Sequence, residues 1–231
     1  MKTIGLLGGM SWESTQTYYR LLNENVKAAL GGLHSAKVIL YSVDFAEIEA
    51  LQHRGQWDET AQILSAAARA VESAGAEVLL IGTNTMHKVA KDIEAATSIP
   101  LIHIADATAD AISAAGLNSI ALLGTSFTME QEFYKKRIED RGITVIVPEQ
   151  EDRDRVNSII FDELCQNIIT EPSKAEYIRI CNDMLARGAQ GIILGCTEIT
   201  CLIGQDDFTA PIFDTTRIHV EAAFKAALED N

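Results

Sequence analysis

No run of about eighteen apolar residues occurs in the 231-residue chain, so no helical membrane span is expected. Aromatic residues are few, 6% of the total and scattered, which removes the stacking platform that a single-strand nucleic-acid binder needs. Positive charge is short as well. Nineteen Lys and Arg stand against 33 Asp and Glu, a formal net charge of −14. Such a surface repels phosphate backbones, so a nucleic-acid partner is excluded. It also provides no broad electrostatic funnel for an acidic ligand, and an anion would need local donors.

Cysteine is restricted to Cys165, Cys181, Cys196 and Cys201. None forms a CxxC pair and no histidine pair stands at ligand spacing near them, so neither a disulfide nor a zinc site is expected. Cys165, Cys181 and Cys201 read as small buried hydrophobes. The glycine-rich GLLGGMS lacks both GxGxxG and a closing GK[ST], and no lysine motif for pyridoxal phosphate is evident; no cofactor and no metal are expected. The opening apolar run breaks at Gly8-Gly9 and then meets Trp12 and Glu13. It reads as a buried strand rather than a targeting segment, and a cytoplasmic chain is expected.

What is present is a 47% hydrophobic content, enough for one large core or two small ones. Short apolar runs at 3–7, 37–43, 77–82, 101–104, 119–123, 143–147, 190–194 and 212–213 predict strands. Stretches of helical period lie at 12–30, 58–74, 86–95, 105–115, 128–141, 153–168, 173–187 and 216–228. The alternation predicts βαβ units, a parallel sheet and an α/β fold. The chain also repeats itself. TIGLLGG at 3–9 matches SIALLGT at 119–125, AGAEVLLIGTNT at 74–85 matches RGAQGIILGCTE at 187–198, and Pro100 answers Pro211. Hydrophobic similarity alone does not align Gly8 with Gly124, Gly75 with Gly188, and Gly82 with Gly195. An internal duplication into two similar parallel-sheet α/β domains follows: residues 1–100 with 212–231, and residues 101–211. An exposed apolar face of the 12–30 helix would suit a homodimer.

Thr83 and Cys196 occupy equivalent places, each past a buried strand and a glycine. In a parallel sheet, ligands sit beyond the carboxyl ends of strands, so two facing domains would carry these residues on opposite walls of one cleft. A strand end that opens a helix presents backbone N–H groups. These are expected to lower the Cys196 thiol's pKa and, from Asn84, Thr85, Thr197 and Glu198, to hold a carboxylate. A base on one wall and a hydroxyl on the other suit removal and return of a proton α to a carboxylate. Met10 and Ser11 sit at the loop after the first strand, and Gln52 in a polar cluster with His53 and Arg54. His87 lies one turn beyond Thr83, a candidate supporting group or a plain helix histidine. Asp106 and Asp214 follow strands, as supporting carboxylates or helix caps.

GGMSWEST at 8–15, TNTMHK at 83–88, HIADAT at 103–108, LLGTSFTM at 122–129, GCTEI at 195–199 and FDTTRIH at 213–219 together resemble the aspartate/glutamate racemase family. The resemblance implies a two-domain fold, an interdomain active site, no cofactor, two-base proton transfer on a small amino acid, and substrate contacts at Met10 and Gln52. GCTE is similar to the aspartate-racemase side of the family. The family's first motif reads CNT-x-H, whereas this chain has Thr83-Asn84-Thr85-Met86-His87 and resembles a threonine/cysteine subset. In two-cysteine relatives the second cysteine acts on the L-enantiomer, which implies L-aspartate or L-glutamate as the better substrate here. The resemblance also shows departures: Cys165 stands where relatives carry a lysine, and Arg54 only loosely replaces an arginine. Two alternatives accompany the racemase. One is an arylmalonate-type decarboxylase, which combines one cysteine with a hydroxyl; the other is a non-catalytic sensor of acidic amino acids.

Overall fold

The computed structural model describes residues 1–228. They divide into two compact units: Met1–Ile104 with the chain from His219 on, and Ala105–Ile218.

The first unit carries β1 (Ile4–Gly8), α1 (Trp12–Leu30), β2 (Val38–Ser42), α2 (Phe45–His53), α3 (Trp57–Ser73), β3 (Val78–Ile81) and α4 (Ala90–Ala96). The chain continues with α5 (Ile104–Ala114), β4 (Ser119–Gly124), α6 (Ser126–Glu130), α7 (Glu132–Glu139), β5 (Thr144–Ile146), α8 (Gln150–Asp162), α9 (Glu171–Ala186), β6 (Ile192–Gly195), β7 (Ile212–Asp214) and α10 (Thr215–Leu228). All strand pairs are parallel. The first sheet has the order β2-β1-β3 and the second β5-β4-β6-β7. In both, the first strand of the repeat lies between the second and the third. The first sheet also has a rudiment of the fourth strand, a single parallel bridge from Leu79 to Leu101. Two parallel-sheet α/β units of the same strand order are what a duplicated sequence should build.

The inner strands β1, β3, β4 and β6 bury both faces, as a parallel sheet covered by helices requires, whereas β2 at the edge of its sheet leaves Leu40 and Tyr41 exposed. In the first unit Ile4, Leu6, Val78 and Leu80 pack with Tyr18, Leu21 and Leu22 of α1 and Val220, Ala223 and Ala227 of α10. The alternate residues Leu7, Leu79 and Ile81 pack with Ile48 of α2, Leu64 and Val71 of α3, and Ile93 of α4. In the second unit Ala121, Leu123, Ile192 and Leu194 face Val156, Ile159 and Ile160 of α8 and Tyr177, Ile180 and Met184 of α9.

The sequence expectations shift in four places. Residues 101–104 form no strand, because the chain turns into α5 at Ile104 after one bridge. They stay with the first unit, where the Ile102 N–H donates to the Leu79 carbonyl. Residues 212–214 stay with the second unit, because β7 pairs with β6. The division therefore falls at 104 and 218 rather than at 100 and 211. The segment 128–141 is two helices broken at Gln131, and α2 lies outside the expected helical stretches. Its start was marked in the sequence: Asp44 caps the Ala46 N–H, with Glu47 three residues on. No helix among the described residues is long and apolar enough to cross a membrane.

Burial sets an acid limit on the first unit. His219 is fully buried; its Nε2 donates to the Ile102 carbonyl at 2.7 Å and its Nδ1 accepts from the Tyr18 hydroxyl at 2.8 Å. Desolvation pushes its pKa down to about 4 from 6.5. A base held neutral in the fold contributes stability above pH 6.5 and loses it as the pH falls toward 4, a span worth about 3 kcal/mol. Urea unfolding followed across this window should show that slope, and His219→Gln should flatten it. A parallel decline in both proteins would assign the acid sensitivity to other groups.

Candidate active site

In each sheet the chain leaves the first strand to one side and returns to the other, so the carboxyl ends of β1 and β3, and of β4 and β6, flank a switch in strand order. Ligand crevices in parallel sheets form there. β1 ends beside β3 through the Leu7–Ile81 pair, and the Gly82 N–H donates to the Leu7 carbonyl at 2.8 Å. β4 ends beside β6 with Gly124 opposite Gly195.

Glycine permits these close approaches. A Cβ on Gly195 would lie 2.6 Å from the Leu123 carbonyl oxygen. Gly9 has φ +88°, and a Cβ there would meet the Val43 carbonyl oxygen at 2.2 Å. Only glycine suits both the conformation and the space. Beyond Gly9 the chain places Met10 in the core and Ser11 as the N-cap of α1, accepting from the Ser14 N–H. The Ser14 hydroxyl in turn donates to the Gly82 carbonyl at 3.1 Å, tying the start of α1 to the end of β3.

Thr83 follows Gly82 half-buried, and a 3-10 turn over Thr85–Val89 opens directly after Asn84. Asn84, Thr85 and His87 are buried. Gln52, on α2, is also buried and donates to the Met86 sulfur at 2.9 Å, so α2 braces this turn. The first unit thus gathers Met10, Ser11, Gln52, Thr83, Asn84, Thr85 and His87 around the ends of β1 and β3. Arg54 is not among them: it is exposed, and its Nε donates to the Ala50 carbonyl at the end of its own helix.

In the second unit Cys196 is half-buried past β6, and a 3-10 turn runs over Thr197–Cys201. Its thiol donates to Glu198 Oε2 at 2.9 Å. Thr197 and Thr216 hydroxyls lie 3.2 Å apart, and the Thr215 hydroxyl donates to the Leu194 carbonyl at 2.9 Å, anchoring α10's start to β6. Thr125, at the end of β4, caps α6. Cys165 packs against the same apolar cluster as Cys196.

The electrostatics reverse one expectation. The Cys196 thiol is pushed well above its ordinary range, first by burial, then by the Glu198 charge and by Cys165. The field of a helix start does not prevail, because the sulfur is desolvated, a carboxylate sits on it and the turn is short. Cys196 therefore rests as a thiol whose proton is already directed at an acceptor. Cys181 is a buried core residue whose thiol desolvation pushes up to about 12. Cys201, by contrast, is exposed rather than buried.

Asp214 accepts from the Thr216 and Arg217 N–H groups, a helix cap, and Asp106 pairs with Arg137 at 2.6 Å. Sequence reasoning passed over Thr125, Thr215 and Thr216. The GT after β4 and the TT after β7 were their only signals. Among the described residues, no three His, Cys, Asp or Glu side chains converge as a cation site would require.

Residues 7–223 match the family described as Asp/Glu/Hydantoin racemase. The chain belongs to this family. It is an isomerase of the racemase class. A Yersinia pestis crystal structure assigned provisionally as an Asp/Glu racemase is 58% identical, covers 99% of this chain and 100% of its own, and superposes with a TM-score of 0.94. An aspartate racemase homologue from Pyrococcus horikoshii OT3 is 36% identical over 99% of this chain and 100% of its own, with a TM-score of 0.87. The broad specificity amino-acid racemase RacX of Bacillus subtilis (strain 168) is 22% identical over 222 residues, 92% of each chain.

The Cys196–Glu198 contact has a measurable consequence. Glu198→Gln leaves the burial but removes the charge that adds to it in holding the thiol up, so alkylation of Cys196 by iodoacetamide at pH 8 should quicken several-fold. Peptide mass spectrometry separates it from the exposed Cys201. An unchanged or slower rate at Cys196 would show that the carboxylate does not control the thiol.

Proposed function

We propose that this racemase inverts acidic amino acids, aspartate or glutamate, using Cys196 and Thr83 as the proton-transfer groups on opposite faces of the substrate, with no cofactor. The observation that carries this reading is the equivalence of the two positions. Thr83 follows β3 and Cys196 follows β6, each at the same switch of strand order in sheets of the same topology.

The chemistry follows from the resting state of the thiol. Cys196 acts as a base after its proton passes to Glu198 Oε2, the acceptor it already contacts. The thiolate sulfur then takes the α-proton, and the electron pair of the broken C–H bond moves toward the substrate carboxylate. Backbone donors at the turn starts, Asn84 and Thr85 in one unit and Thr197 and Glu198 in the other, stabilise the charge that develops on the carboxylate oxygens. Return of the proton from sulfur gives exchange without inversion. Delivery through the Thr83 hydroxyl gives the opposite enantiomer; a water reprotonates Thr83, and the proton held on Glu198 returns to solvent to neutralise the hydroxide left, which restores the thiol and the carboxylate. An alcohol is a far weaker acid than a thiol, so its alkoxide is not a resting base at neutral pH. The D-enantiomer, whose proton faces Thr83, should therefore react more slowly. Met10 and Gln52 line the Thr83 side in this reading.

The 36% identity to an aspartate racemase homologue over nearly the whole of both chains supports acidic substrates. Family membership favours inversion over decarboxylation and over a sensor without catalysis.

NMR of the α-proton in heavy water, with each enantiomer of aspartate and glutamate, tests the proposal. The L-enantiomers should exchange faster than the D-enantiomers, and Cys196→Ala should lower both exchange and inversion by at least about a hundredfold. Thr83→Ala should reduce inversion more than L-exchange, and Thr83→Cys should raise D-exchange. Undiminished exchange in Cys196→Ala, or equal wild-type rates for the two enantiomers, would overturn this assignment of the two faces.

A further inference from the structure

His87 holds more of the Thr83 turn than its place in the sequence suggests. We propose that it is a positioning residue, whose ring fixes the Thr83 carbonyl and through it the direction in which Thr83 presents its hydroxyl; this rests on the reading of Thr83 as a proton-transfer group. His87 Nδ1 lies 2.8 Å from the Thr83 carbonyl oxygen, and Nε2 lies 3.2 Å from the Ile104 backbone nitrogen. A carbonyl oxygen only accepts and a backbone N–H only donates. One arrangement satisfies both bonds: a neutral imidazole with its proton on Nδ1 and its Nε2 lone pair toward Ile104. Both ring nitrogens are thereby engaged with backbone, which argues against His87 as a second base.

The ring is held from the sides as well. The His103 ring packs edge-on at 4.5 Å between centroids and the His219 ring at 5.6 Å. His219 grips the Ile102 carbonyl as His87 grips the Ile104 N–H. Two histidines thus clamp residues 102–104, and the Thr83 turn is anchored through His87 to that segment. Thr83 belongs to neither strand nor helix, so regular backbone pairing does not set its direction. Proton transfer does not tolerate loose aim: a misplacement of about 1 Å costs on the order of a hundredfold.

Two variants separate the bonds. His87→Ala removes both, while His87→Asn keeps an N–H donor near the Nδ1 position and loses the contact to Ile104. The readout is the ratio of inversion to α-proton exchange for the L-enantiomer, which a general loss of folded protein does not change. It should fall about tenfold in His87→Ala, the worth of one hydrogen bond, and recover most of that in His87→Asn. An unchanged ratio in His87→Ala overturns the proposal. A second measurement is independent of turnover. Long-range proton–nitrogen NMR of the imidazoles, with His87 assigned by its loss in His87→Asn, should show the neutral Nδ1–H tautomer at neutral pH. An Nε2–H tautomer in an active chain removes this proposal alone. A wild-type chain that exchanges neither enantiomer removes the reading of Thr83 and this proposal with it.

Discussion

The parallel pairing of the first strand with the third in each sheet is the constraint on which everything else depends. It brings the ends of β1 and β3 together in one unit and of β4 and β6 in the other. Whatever follows those strands is then held at the carboxyl end of strands buried on both faces. Side chains at this edge must leave room for the neighbouring backbone, which is why Gly82 precedes Thr83 and Gly195 precedes Cys196. At Gly195 the nearest obstacle to a Cβ is a backbone carbonyl, which cannot rotate away as a side chain would.

Rigid placement does not by itself activate a group. Cys196 sits where a helix-start field would favour a thiolate, yet burial and the carboxylate of Glu198 favour the thiol. A charge at hydrogen-bond distance in a partly desolvated setting outweighs the partial charges of a five-residue 3-10 turn. The same carboxylate that adds to the burial in disfavouring the thiolate is the acceptor of the thiol's hydrogen bond. Thr83, in the first unit, has a different setting. Its environment is built instead from backbone bonds, with His87 and Ser14 bracing the strand end and the turn.

Much of this was legible in the chain itself. The duplicated strings around Gly82-Thr83 and Gly195-Cys196 correctly implied two sheets of one plan, because identical glycine placement is hard to produce by hydrophobic patterning alone. The long helices α1, α3, α9 and α10 followed from their apolar period. Less legible were the elements whose type depends on neighbours. Residues 101–104 carry a strand-like composition but make one bridge before α5 begins. Helix α2 is nine residues long and was hidden among polar letters that invited a functional reading.

Sequence alone determined the α/β class, the repeat, and the two positions, Thr83 and Cys196, that occupy matching ends of matching strands. These follow from local periodicity and from glycines, whose lack of a Cβ is a property of the residue itself. Tertiary structure decided what those positions are chemically. The proton on Cys196, the backbone contacts of His87, the burial of Gln52 against Met86 and the depressed pKa of His219 all depend on groups brought near by folding. Electrostatic energy varies with distance and desolvation, and neither quantity is written in the order of the residues.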